Sequence, residues 1–72
     1  MDRNDYIRRI TIFPGKDGQY YWRAQGWNWQ ILFAGEGYRR YEKAVKAAEK
    51  LAYALEGHVE IFDKVHNTVS FS

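Results

Sequence analysis

The stretch that decides the fold is YYWRAQGWNWQILFAGEGYRRYEKAVKAAEKLAYAL, residues 20–55. It opens with strand-like aromatic residues, Tyr20 to Gln25, and turns at Gly26-Trp27-Asn28-Trp29. It returns as a second run, Gln30 to Ala34, and passes through Gly35-Glu36-Gly37-Tyr38 into a helical pattern. From Tyr41 the apolar residues are Tyr41, Ala44, Val45, Ala48, Leu51, Ala52 and Leu55. Spacings of three and four place them on one face of an α-helix. Glu42, Lys43, Lys46, Glu49 and Lys50 occupy the other faces, and Glu42 stands four before Lys46, the favourable order for a helical ion pair. Gly57 is suited to the left-handed position after the last turn.

The start of this helix is poorly marked. Arg39 and Arg40 are weak N-caps, and their charge opposes the positive end of the helix dipole. The pair reads either as a solvated turn folded over Tyr38 or Glu36, or as a helix start suited to a phosphate. The solvated turn is the preferred reading, since charged surface residues seldom carry function alone.

Working outward, residues 1–5 read as a frayed end of the single domain spanning residues 1–72. Tyr6 to Phe13 reads as the first strand, with Ile10 and Ile12 on one side and Thr11 and Phe13 on the other. Pro14-Gly15-Lys16-Asp17-Gly18 is a strong turn signal that makes a hairpin with the Tyr20–Gln25 strand. In that strand Tyr20, Trp22 and Ala24 share one face, and Tyr21, Arg23 and Gln25 the other. In the next strand Ile31 and Phe33 share a face opposite Leu32. Asn28 tolerates a left-handed backbone, which allows a tight turn between Trp27 and Trp29. Beyond the helix, His58 to Asp63 alternates as a fourth strand, Lys64 to Asn67 reads as a turn, and Thr68 to Phe71 as a short fifth strand. The expected fold is α+β: an antiparallel sheet of four to five strands with one amphipathic helix on one face, ordered β-β-β-α-β with a final β.

A chain of 72 residues without cysteine has no disulfide or thiolate metal site to support its core. Aromatic packing and oligomerisation remain, and 18% of the residues are aromatic. Net charge is +2, from 11 basic and 9 acidic side chains, which is too little for an obligate nucleic-acid binder. No apolar run approaches transmembrane length and no signal peptide is visible, so the expectation is a cytoplasmic protein with no membrane contact. Catalytic patterns are missing: there is no cysteine and no Gly-x-Ser-x-Gly elbow. His58 and His66 with Glu60 or Asp63 match no metal-ligand spacing. The expectation is therefore no enzyme, no metal and no cofactor.

The run Trp22-Arg23, Asn28, Ile31-Leu32, Glu36-Gly37-Tyr38, Ala44 and Ala47 resembles the YegP-like family of small bacterial proteins. The resemblance covers Tyr20 to Leu51, about half the chain. It departs at Trp29, where the family has a turn glycine, at Gly35, where it often has serine, and at Arg39 and Arg40, where it has small hydroxyl residues. The resemblance implies a unit of three strands, a helix and a strand that occurs in pairs. With one copy here, it implies a homodimer. It supplies no catalytic residues, because the family's role is not established.

Two function classes follow. The first is a non-enzymatic homodimeric interaction or assembly module contacting its partner through Tyr20, Trp22, Trp27 and Trp29. The second is a small DNA-binding module using the exposed sheet face, as the AP2-type domains and the arm-binding domains of phage integrases do. Arg8, Arg9, Arg23, Arg39 and Arg40 would then contact the nucleic acid. In the first class the arginines pair with glutamates or cover aromatic rings; in the second they stand free. Carbohydrate or small-molecule binding at the Trp27/Trp29 tip is a weaker third idea.

Overall fold

A computed structural model describes residues 7–55 and 59–71 of the chain. The element order is β1 (Arg9–Pro14), β2 (Tyr20–Gln25), β3 (Ile31–Ala34), α1 (Tyr41–Ala54), β4 (Glu60–Asp63) and β5 (Thr68–Phe71). This is the expected α+β order, with the final strand present. The expectations for residues 1–5, Tyr6, Gly57 and His58 lie outside the described residues.

The strands form one sheet in the order β3-β2-β1-β4-β5. Three of its four pairings are antiparallel, and β1 with β4 is parallel. The expectation of an all-antiparallel sheet is corrected there. The reason is the connection. A crossing helix returns the chain to the end of the sheet where β3 began, so β4 runs the same way as β3. Since β3 and β1 flank β2 as its antiparallel neighbours, β4 also runs parallel to β1.

The helix lies on the face formed by Ile10 and Ile12 of β1, Ala24 of β2 and Ile61 of β4. These residues, with Val59 and the helix alanines Ala44, Ala48 and Ala52, are the buried core. Alanines at spacing four let the helix backbone approach the sheet closely, and larger residues close the sides. Tyr20, Trp22, Tyr38, Tyr41, Val45 and Leu51 pack around that centre, half-buried. Gly35 belongs to the same arrangement. A Cβ there would fall on the Trp22 indole, so glycine lets that ring lie close against the backbone.

The Pro14–Gly18 turn forms the expected hairpin. Gly15 N–H donates to the Gln19 carbonyl at 2.7 Å, and Gly18 takes a left-handed φ of 84°. The helix starts without a side-chain cap: Arg40 holds the N-cap position in extended conformation and makes no capping hydrogen bond. Its C-terminal side closes with Leu55 N–H donating to the Leu51 carbonyl at 3.1 Å.

Candidate functional site

The face of the sheet away from the helix is built in rows by the strand register. Ile31, Gln25, Arg9 and Glu60 form one row. Ala34, Arg23, Thr11, Phe62 and Val69 form the next, and Tyr21 and Phe13 a third. Of the two faces of β2, the one with Tyr21, Arg23 and Gln25 lies here, and the one with Tyr20, Trp22 and Ala24 lies under the helix.

Side chains of this face seal one another. Thr11 is only 2% exposed although no helix covers it. Its hydroxyl donates to Gln25 Oε1 at 3.0 Å, and Gln25 Nε2 donates to the Trp29 carbonyl at 3.1 Å. A ladder of rings and guanidinium groups begins at the hairpin tip. Arg8 lies 4.8 Å from the Trp27 ring and 4.3 Å from the Trp29 ring. Arg9 follows, 4.7 Å from Trp29 and 5.0 Å from Phe62. The order is thus Trp27, Arg8, Trp29, Arg9, Phe62, with each guanidinium between two aromatic rings. Each such contact contributes about 0.5–1 kcal/mol at an exposed site. Arg9 also pairs with Glu60. Beside the ladder, Arg23 lies 4.8 Å from the Phe13 ring, which stacks on Tyr21 at 5.8 Å. Tyr21 in turn donates its hydroxyl to Asp17. That hydrogen bond is the chief reason the Asp17 carboxyl is held below its ordinary value and the Tyr21 phenol above its own.

The hairpin tip differs from expectation in its backbone. The left-handed residue is Trp29, at φ 68°, rather than Asn28. Trp29 N–H donates to the Gly26 carbonyl and Gly26 N–H to the Gln30 carbonyl, each at 3.0 Å. The position is the one where YegP-like proteins carry glycine, and a side chain there costs about 1–2 kcal/mol. The two arginines on the Trp29 ring and the Gln25 bond to its carbonyl oppose that cost.

The next strand also departs from simple alternation. A register shift between Ala24 and Gln25 pairs Ala24 with Phe33 but Gln25 with Ile31. Phe33 therefore sits on the helix side, edge-on to Trp22 at 6.0 Å, while Ile31 lies beside Gln25 toward the open face. The expected shared face of Ile31 and Phe33 is corrected by this bulge. Trp27 is 56% exposed, Trp29 42%, Ile31 57% and Phe33 44%, so four large apolar side chains line one hairpin arm and the β3 edge.

Tyr20 and Trp22, expected at an interface, instead face the helix and pack against the core. Trp27 and Trp29 are together at the tip and accessible. Arg9 and Arg23 lie on the open face, and Arg8 lies against the Trp27 and Trp29 rings at the hairpin tip. Arg39 and Arg40 are exposed at the helix start, past the Tyr20–Tyr38 bridge at the far end of β2, and do not join them. Sequence reading missed Ile31 and Phe33 as surface residues. The absence of any charge from Gly26 to Gly35 was the available signal.

A second polar cluster joins three elements. Asp63 is 8% exposed at the end of β4. It accepts from the Tyr41 hydroxyl, from Val65 N–H at 2.8 Å and from His66 N–H at 3.2 Å, and its Oδ2 lies 3.1 Å from His66 Nδ1. The Tyr41 and His66 rings meet edge-on at 4.8 Å. Burial acts to raise the Asp63 carboxyl, but these hydrogen bonds outweigh it and hold the group below its ordinary value. Burial, then the bond to Asp63, pushes the Tyr41 phenol up to about 12. Glu60 points to the opposite face and pairs with Arg9, so it does not join His66. Among the described residues no three acidic, histidine or cysteine side chains gather as metal ligands, and no helix is long and apolar enough to cross a membrane.

No protein-family model, curated protein or solved structure matches this chain. The resemblance to YegP-like proteins rests on its motif residues alone.

Proposed function

We propose that this chain is a small, non-enzymatic interaction module of the cytoplasm that works as a homodimer. The observation that carries the reading is the run of four exposed apolar side chains, Trp27, Trp29, Ile31 and Phe33, along one edge of a very small domain. Large adjoining apolar surface of this kind marks a contact site. The engagement of the arginines supports the same reading: Arg9 pairs with Glu60, and Arg8, Arg9 and Arg23 lie over rings. The pairing of units in YegP-like proteins accords with it.

Light scattering at low and high salt tests it. The expected result is a dimer mass that salt does not change, because apolar contact is not screened. A monomer at every protein concentration would overturn the proposal.

A DNA-binding module is the second reading. It is favoured by Arg23, which has no carboxylate partner among the described residues. It ranks second because Arg8 and Arg9 are already held between aromatic rings. Adding a short mixed-sequence duplex to the same experiment separates the two. Binding at low salt that is lost at high salt would favour the DNA reading.

A further inference from the structure

The exposed apolar residues do not lie on the open sheet face alone. Because of the bulge, Ile31 looks toward that face and Phe33 toward the helix side, with Trp27 and Trp29 at the adjoining tip. A surface that meets both must approach the edge of β3 from the side. β3 is an outer strand of the sheet.

Outer strands are ordinarily protected by charge or proline. In a chain with 28% charged residues, the ten residues from Gly26 to Gly35 carry no charge and no proline. The other outer strand, β5, is also uncharged over Thr68–Phe71, but among its described side chains it exposes one large apolar group, Val69, against four along β3 and its hairpin tip. The open face between the edges carries Arg9 and Arg23, which a symmetric partner would place against their own images.

A two-fold interface brings the same patch of each copy face to face. A charged patch would then repel itself. The Gly26–Gly35 segment carries no charge of its own. The guanidinium groups over the Trp27 and Trp29 rings come from Arg8 and Arg9 at the hairpin tip, away from Ile31 and Phe33. We infer that the edge of β3, with Trp27, Trp29, Ile31 and Phe33, is an isologous contact for a second copy of this chain. This rests on the homodimer reading above and adds the geometry of the contact: the same edge from both copies, met from the side. The area agrees. The exposed parts of the four side chains amount to roughly 400 Å². A stable interface takes about 800 Å² from each partner, a little over half of it apolar. The four side chains thus supply the apolar centre, and the polar hairpin residues Asn28 and Gln30 border it. The contact is made chiefly by side chains, because the bulge interrupts the regular edge of β3 for continuous strand pairing.

The test is sedimentation equilibrium of the full chain and three variants. Ile31→Lys and Phe33→Lys place charge in the proposed contact, and Val69→Lys places it on the opposite edge. All three positions are exposed, and far-UV circular dichroism reports whether each variant keeps its fold. The expected result is a dimer for the parent chain and Val69→Lys, with a dissociation constant raised at least tenfold for folded Ile31→Lys and Phe33→Lys. A parent dimer that both β3 variants leave unchanged would overturn the location while leaving the homodimer reading intact. A monomeric parent chain would overturn both.

Discussion

Asp63 joins the first residue of the helix, the end of β4 and the following turn through one carboxylate. Its folded value lies below its ordinary value of 3.8. The stabilisation it brings is therefore complete above the unfolded value and is lost as pH falls through the folded one. Asp63→Asn is expected to lower stability by about 1.5–3 kcal/mol at pH 7, the range for hydrogen bonds to a charged group. The gap between variant and parent should close as the pH drops below about 3.9, where the free carboxyl protonates. Urea unfolding at pH 7 and pH 2.5 measures it. A gap that stays constant would show that the carboxylate charge is not what holds the cluster. Tyr41 responds at the other end of the scale. Its raised value means that its contribution is complete below pH 10 and is lost as pH rises through about 12. None of this was legible from residue type. Asp63 reads as an ordinary strand end, and only the turn that brings His66 and the helix that brings Tyr41 make it a junction. Trp29 teaches a related lesson. Asn28 has the better propensity for a left-handed backbone, yet hydrogen bonding around Gly26 and the two arginines on the indole put that conformation one residue later.

At the scale of the element, periodicity carried most of the information. The helix and β2 lie where apolar spacing put them, because an amphipathic helix and an alternating strand each have one face packed on the core. β5 also lies at its expected residues, although Thr68, Val69 and Ser70 are exposed. Strand direction was not legible, since the residue pattern of a short strand is nearly the same whether it runs parallel or antiparallel. The bulge in β3 was hidden for a similar reason: an extra residue becomes visible only against the strand it pairs with. The weak helix start was legible and has a consequence. Arg40 occupies the N-cap without a capping bond. Arg40→Ser should therefore raise stability by about 0.5–2 kcal/mol, by accepting a hydrogen bond from the first turn and removing a charge that opposes the dipole. The check is an increase in the urea midpoint with an unchanged slope. A midpoint that does not move would mean that water already satisfies those N–H groups as well as a hydroxyl would.

For the whole molecule, size and self-association are linked. A 72-residue domain buries only a modest share of its surface. A dimer adds stability that depends on concentration by mass action. The proposed homodimer thus predicts a melting temperature that rises as protein concentration is increased, by a few degrees per tenfold for so small a unit. Differential scanning calorimetry over a hundredfold range measures it, and a constant melting temperature would count against the dimer. The expectation of a partner came from length, aromatic content and the missing cysteines. The place proposed for it had no sequence signal as an edge, because the edge position of β3 depends on the strand order.

The parallel pairing of β1 with β4 also sets the order in which the molecule is assembled. Ile10 meets Ile61, about fifty residues away along the chain. The first three strands are joined by short turns and can close within microseconds, whereas the last joint must bring together the ends of a long loop. Until β4 arrives, β1 has one bare flank, and the uncharged segment from Gly26 to Gly35 is already in place at the other side of the same small meander. A newly made chain is therefore expected to spend time with both margins of its sheet uncovered, which refolding at rising protein concentration would reveal as lost yield. Folding yield should be limited by how soon β4 takes its place beside β1, and not by how well the helix forms.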